Sequence, residues 1–328
     1  MSHKTATEGR LLYSPTLSRN TPNYINLVKD LSWVNSRNHQ HTDNDGHVIG
    51  YWVDLTISLD VASTWTFATA PNTWKMRNSF RKFHAYRDHM FKEAGVSKSE
   101  MGRYGRTIRP FLEPDMVETE EIGGIVVYTE NNVLSPALAT DANREWTYSS
   151  LASNPGWLEQ DSIADISGDT TMGLSDEWKL TICGPNEVDE QTTSGKVQSY
   201  LTAGMIHSYN LDRMEVVTPN ADEVIVGPNN PLAALRFQGA AVGEVIDITE
   251  DQELEAPPYD IIDDGDSVDI IFSDLARTND ATLSIVKVKN LFVPAGILRV
   301  VMANTPNGTE DPSILVDVKG WSYCKDLA

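Results

Sequence analysis

The sequence predicts a mainly β protein, an antiparallel sandwich or barrel with a few inserted helices. Three observations predict it. Residues 51–60 alternate strictly between apolar and polar side chains. Short apolar runs bounded by Gly, Pro, Asn and Asp recur along the chain, about ten to twelve of them. These runs do not alternate regularly with helical patterns, which argues against a doubly wound α/β sheet. The 328 residues are 40% hydrophobic and include eight Trp and eleven Tyr, enough for a large core in one or two domains and too much for wholesale disorder.

Residues 1–46 are polar, weakly periodic and dotted with single bases, and read as an extended N-terminal arm with a short strand near Tyr24 to Val28. Asp43-Asn44-Asp45-Gly46 begins like a calcium loop but lacks the later acidic ligand, so it reads as a turn. Tyr51, Val53, Leu55, Ile57 and Leu59 then form one face of a strand, with Trp52, Asp54, Thr56, Ser58 and Asp60 on the other. A second strand at Thr64 to Thr69 leads to a helix expected over about residues 73–94. Asn72 or Thr73 can cap it, Met76, Phe80, Phe83 and Met90 recur at helical spacing, and Gly95 ends it. Ser97 to Glu100 offers a capping box for one more turn.

Beyond this helical insertion, residues 71–110, the pattern is of strands: Gly123 to Tyr128, Glu145 to Leu151 and Trp178 to Cys183. Lys196 to Met214 suits helix and strand equally. Glu223 to Val226 is a short strand, a short helix follows at about residues 231–238, with Asn230, Pro231 and Gly239 as its punctuation, and Val242 to Ile248 is again a strand. Val268 to Phe272, Thr282 to Val293, Ile297 to Ala303 and Ile314 to Val318 close the chain. The division is an arm, 1–46, and one domain, 47–328. Short strands with long acidic loops make the jelly roll the natural form of the sandwich.

Charge is uneven. Residues 1–110 carry +6 and residues 111–328 carry -27, for a total of -21. Glu244 to Asp274 holds twelve acids and no base, whereas Trp74 to Arg109 holds ten bases against three acids. That cationic island makes Lys75, Arg77, Arg81, Lys82, Arg87, Arg103, Arg106 and Arg109 the candidate contacts for phosphates, which need only Lys and Arg within reach. The competing reading is a solvated helix face. Asymmetry of this kind points to two faces with different partners: a basic one for nucleic acid, lipid or a neighbouring copy, and an acidic one for solvent.

Catalytic motifs are absent: no G-x-S-x-G, no P-loop, no G-x-G-x-x-G after a strand. His84 and His89 are five apart and face different ways, His39 and His41 sit in the arm, and the two cysteines, Cys183 and Cys324, are too few for a metal knuckle. No cofactor is expected, save calcium at subunit contacts through Asp263, Asp264, Asp266 and Asp269. The first residues lack an apolar leader and no run is long enough to span a membrane, so a secreted or membrane-spanning protein is not expected.

The strand GYWVDLTISLDV, the insertion TAPNTWKMRNSFRKFHAYRDHMFKEAGVSKSEMGRYGRTIRPFL, and the closing strands LFVPAGILRVVMAN and SILVDVKGWSYC together resemble the layout of jelly-roll capsid proteins of small icosahedral viruses. The resemblance is architectural and rests on no diagnostic motif. It implies a structural coat protein, not an enzyme, that assembles with itself into an icosahedral shell within a virion. The basic first third would face the genome and bind it without sequence preference. The dense N-terminal arginine arm of such capsids is missing, since residues 1–46 carry five bases. One alternative is a double jelly roll of a membrane-containing phage, whose cationic face meets lipid. Another is a non-assembling β-sandwich that binds glycans or calcium, with Trp146, Trp157 and Trp178 as an aromatic platform.

Overall fold

The computed structural model describes residues 8–97, 100, 107–122, 125–137, 146–152, 177–193, 196–214, 271–279, 284–306 and 308–324. The protein is mainly β, with several antiparallel sheets and few helices. One four-stranded sheet has the order β1 (Arg10–Tyr13), β16 (Ser313–Tyr323), β4 (Ile49–Leu59) and β13 (Ser284–Pro294). The other runs β12 (Ile271–Thr278), β5 (Ser63–Thr69), β14 (Ile297–Ala303) and β3 (Pro22–Asn26). All pairings within these two sheets are antiparallel.

The alternation of β4 is what orients the first sheet. Tyr51, Val53, Leu55, Ile57 and Leu59 are buried, and the register carries that face to Val288, Leu291 and Val293 of β13 and to Ile314 and Val316 of β16. From the second sheet Trp65, Phe67, Leu298, Val300 and Met302 meet them in one hydrophobic core. A strand with period two can bury only one face, so the other faces of both sheets are left for solvent or for added elements.

Residues 10–34 are not the extended arm expected of them. β1 pairs with β16, β3 pairs with β14, and a short strand β2 (Leu17–Ser18) pairs with β15 (Thr309–Glu310). A helix, α1 (Leu27–Val34), follows β3 directly: Asn26 caps it by accepting the Lys29 N–H at 3.1 Å, and Leu27, Val28 and Leu31 are buried. Strands of two to five residues are too short to show a period in a sequence, and an eight-residue helix barely completes two turns.

Between β5 and β12 no described residue belongs to a strand of these two sheets, although Val133 bridges to Tyr24 of β3. The described part of this insertion holds α2 (Trp74–Glu93), the hairpin β6 (Val117–Ile122) and β7 (Ile125–Glu130), β8 (Ser150–Ala152), β9 (Glu177–Thr181), β10 (Glu187–Thr193), β11 (Lys196–Gly204) and α3 (Met205–Met214). β10, β11, β9 and β8 form a third sheet in that order, with β11 and β9 parallel. The ambiguous stretch 196–214 is therefore strand first and helix second. Of the strand expected over Glu145 to Leu151, the described residues 146–149 are not strand; Trp146 and Tyr148 make a ring contact with each other, and Tyr148 stacks on Phe111. The helix expected at 231–238, the strands at 223–226 and 242–248 and most of the acidic stretch lie outside the described residues.

A second hydrophobic core joins insertion to body. Met76, Phe80, Phe83, Phe111, Trp178, Leu180 and Ile206 pack with Tyr24, Val48, Ala70, Ala295 and Ile297, residues at one end of the two sheets. Glu113 adds a polar tie: it accepts from the Tyr24 hydroxyl and pairs with Arg299 of β14 at 3.3 Å.

Candidate functional site

The cationic island sits on α2 and the segment after it. The helix starts where its sequence says it should. Thr73 Oγ1 accepts the Met76 N–H at 3.4 Å and its carbonyl accepts the Arg77 N–H at 3.1 Å. It ends at Gly95, φ +73°, with the Val96 N–H reaching back to the Phe91 carbonyl at 2.9 Å, the six-to-one bond of a Schellman motif. Of the expected capping box only one half forms: the Glu100 carboxylate accepts the Ser97 N–H at 2.8 Å and the Ser97 hydroxyl at 2.6 Å, while the Glu100 N–H bonds to the Ser97 carbonyl at 3.0 Å.

The bases do not line up along a wet face. Lys75, Arg77, Lys82 and Arg109 are buried, at 5–8% exposure, and Arg81 and Arg87 are half-buried. Most of the six take partners inside the chain. Arg77 donates to Asn72, at 3.3 Å to its carbonyl. The Lys82 ammonium lies 5.6 Å from the centroid of the Tyr209 ring of α3, and Tyr209 also meets Trp74 edge-on. Arg87 donates to His84 Nδ1 at 3.3 Å. Arg109 lies over Trp146, 4.3 Å from the ring centroid, and donates to Asn38 at 3.2 Å. Both readings made from the sequence, a solvated face and a genome-facing row, assume exposure that these four buried bases lack. Long aliphatic stems let Lys and Arg lie in a core while the charged head finds an aromatic face or a carbonyl. Charge pattern alone does not report that. Arg103 and Arg106 lie outside the described residues, as does the side chain of Met90.

Two histidines are fixed in neutral form beside this helix. His84 Nδ1 accepts from Arg87, so its proton is on Nε2, which meets Thr42 Oγ1 at 2.9 Å. Burial, helped by the Arg87 charge, brings its pKa down to about 3. His41 Nδ1 donates to the Ala295 carbonyl at 2.6 Å, and burial lowers that ring to about 4. The tight fit over α2 also explains Gly46, φ +87°, in the turn once likened to a calcium loop. A Cβ there would stand 3.0 Å from the His84 ring and 3.1 Å from the Arg81 backbone. Asp43 serves that turn by accepting the N–H groups of Asp45 and His47 at 3.0 and 2.8 Å.

Beneath α1 lies a second buried polar group. Asp30 accepts from the Tyr13 hydroxyl, Lys29 pairs with Glu130 at 2.5 Å, and Asn26 donates to the Tyr148 hydroxyl at 3.2 Å. Burial raises Asp30 to about 7. Cys183 and Cys324 are buried and form no disulfide, and desolvation pushes the Cys324 thiol up to about 12, which keeps it protonated and unreactive near neutral pH. Among the described residues no three His, Cys, Asp or Glu gather as a metal cage, and no helix is long and apolar enough to cross a membrane. Asp263, Asp264, Asp266 and Asp269 lie outside the described residues.

The exposed aromatics are not those expected. Trp178 is fully buried, Trp146 is half-buried against Arg109, and Trp157 lies outside the described residues. Instead Trp52, Trp321 and Tyr323 are 41%, 60% and 42% exposed on β4 and β16. For Trp52 the signal was present in the sequence: it sits in the polar phase of the alternation that buries Tyr51 and Val53. Searches against family models, curated proteins and solved structures returned no match.

Proposed function

We propose that this chain is a structural coat subunit that assembles with copies of itself into an icosahedral shell, built on a single jelly roll with a large insertion. The strand pairing carries the reading. Taken in chain order, β1, β3, β4, β5, β12, β13, β14 and β16 pair first with last, second with seventh, third with sixth and fourth with fifth. An antiparallel ribbon rolled into two facing four-stranded sheets pairs in this way. A double roll would need a second such set. Among the described residues the remaining strands are the small β2–β15 pair, the hairpin β6–β7 and a sheet with a parallel pair, which favours one roll with an insertion.

The step from roll to shell is an analogy of architecture. It draws support from the long insertion at one end, which supplies contact surface without disturbing the sheets, and from a charge of -21, which keeps a protein soluble at high local concentration. It does not rest on the α2 bases. Localisation in a virion, with many copies of the chain and a nucleic acid as partners, belongs to the same proposal. Light scattering and negative-stain microscopy of the purified chain across a range of salt test it. Closed particles of uniform diameter are expected. A monodisperse monomer at every salt concentration overturns it.

A further inference from the structure

With the bases of α2 largely buried, the exposed cations of the described chain must be sought elsewhere, and a group of them lies on the outer face of the β1–β16–β4–β13 sheet. Residues paired across strands point to the same face. Thr56, on the face of β4 opposite its buried row, pairs with Lys287, and Asp54 pairs with Asp317, which pairs in turn with Arg10. Lys319, at an irregularity in β16, reaches both Asp54, at 3.4 Å, and Asp317. Lys289 lies beside Asp54, where its charge helps keep that carboxyl below the usual range, after the larger effect of the Asn290 N–H bonded to it. Arg10, Lys287, Lys289 and Lys319 are all exposed. The acids within the strands of this face, Asp54 and Asp317, are both already engaged by Lys319, and Asp60 stands exposed just past the end of β4. Glu8, at its rim, accepts the Arg10 backbone N–H. Lys287 and Lys289 make no salt bridge among the described residues.

On the same face stands Trp52. Phe292, its cross-strand neighbour, holds the ring from one side at a centroid distance of 4.7 Å, and Ser322 Oγ accepts its indole N–H at 3.1 Å. The ring is thus oriented yet remains 41% exposed. Strands about 4.8 Å apart put these groups within about 15 Å of one another across the sheet.

We propose that this face binds single-stranded nucleic acid, its bases meeting phosphates and Trp52 stacking on an unpaired base. The chemistry fits a polyanion with exposed aromatic rings: flexible lysines, two of them in no salt bridge among the described residues, beside a fixed aromatic platform. Trp52 needs an unstacked base to stack on, so a single strand is the partner. An acidic surface of a second copy would answer to the cations but would leave unused the stacking that the pinned ring offers, and lysines are depleted at protein–protein interfaces. The partner is the one the shell reading calls for, and the inference rests on that reading for its biological setting.

The test is fluorescence anisotropy of a labelled oligo-dT with the full chain, titrated across salt, for wild type, the double variant K287Q/K289Q and W52A. All three positions are exposed, so folding should persist, checked by circular dichroism. Expected results are binding by wild type, a slope of log K against log salt flatter by about 1.4 in the double variant, and about tenfold weaker binding by W52A. Unchanged slope and affinity in both variants, or no binding by wild type, overturns the proposal. So does a result in which the variants keep oligo-dT binding but no longer associate with one another, which makes the face a contact between copies. Particle formation is read separately by light scattering. Particles whose nucleic-acid content is the same in all variants sink this inference and spare the shell. Oligo-dT binding that needs these residues in a chain that stays monomeric does the reverse.

Discussion

In the two-sheet body, β4 buries every second residue and turns the intervening ones outward. In the insertion, the first half of α2 buries Lys75, Arg77 and Lys82 along with Met76, Phe80 and Phe83. The first core is apolar and continuous across eight strands. The second mixes strand and helix and borrows part of its apolar wall from the ends of the body strands. Polarity therefore predicts position along β4 and fails to do so along α2. A strand has only two sides, so its alternation is a direct record of what faces water. A helix packed on several sides has no such rule, and its cations survive burial by stacking on Tyr209 or bonding to Asn72.

The comparison makes its strongest claim about cooperativity. Trp65 is fully buried in the first core and Trp178 in the second, and truncating either to Ala should cost about 3–5 kcal/mol. The consequences should differ. Trp65→Ala is expected to speed amide hydrogen exchange in both regions, since the insertion leans on the strand ends. Trp178→Ala is expected to speed exchange in β9, β11 and α3 while amides of β4 and β14 stay near wild-type protection. Equal acceleration everywhere in both variants would mean that the two cores unfold as one and that their difference is only compositional.

That contrast also accounts for what was legible in advance. β4 and β5 could be read almost to the residue because each alternates over seven residues or more. β1 and α1 could not, being four and eight residues long. The pairing of β1 with β16 joins residues some three hundred positions apart, and nothing local encodes it. At the candidate site the helix, its caps and its apolar stripe were visible, but the burial of its bases was not, because it depends on Trp146 and Tyr209 arriving from distant segments. Trp52 stands in the polar phase of the β4 alternation and is exposed, whereas Trp178, which alternates with Lys179 in step with Leu180, is buried.

A smaller effect separates the regions by pH. His84 in the insertion titrates at about 3 when folded against an ordinary 6.5. Between those values the unfolded chain takes up a proton that the folded chain refuses, so stability falls as pH drops through the window. His41 acts in the same direction between about 4 and 6.5. Asp30 in the body acts oppositely: raised from 3.8 to about 7, it holds a proton in the folded chain that the unfolded chain has released, so it lowers stability as pH rises through that range. Urea denaturation at pH 6.5 and 4.5 should therefore show H84Q losing about 2 kcal/mol less than wild type on acidification. An identical loss in both would mean that the His84 ring accepts its proton without cost and that the packing over α2 is looser than its contacts imply.

The smallest effect tests whether the start of α2 is held by its own cap or by the core around it. The Thr73 hydroxyl accepts the Met76 N–H at 3.4 Å, a long bond. A capping side chain is worth about 1 kcal/mol, and a bond of this length belongs at the low end, about 0.5 kcal/mol. Trp74, Met76 and Phe80 are buried in the same two turns and anchor the helix independently. Thr73→Ala should thus lower the unfolding free energy by about 0.5 kcal/mol without changing the denaturant slope. A loss above about 2 kcal/mol would place the cap among the main supports of the insertion, and the burial of the neighbouring bases would then depend on this first turn as much as on the rings that cover them.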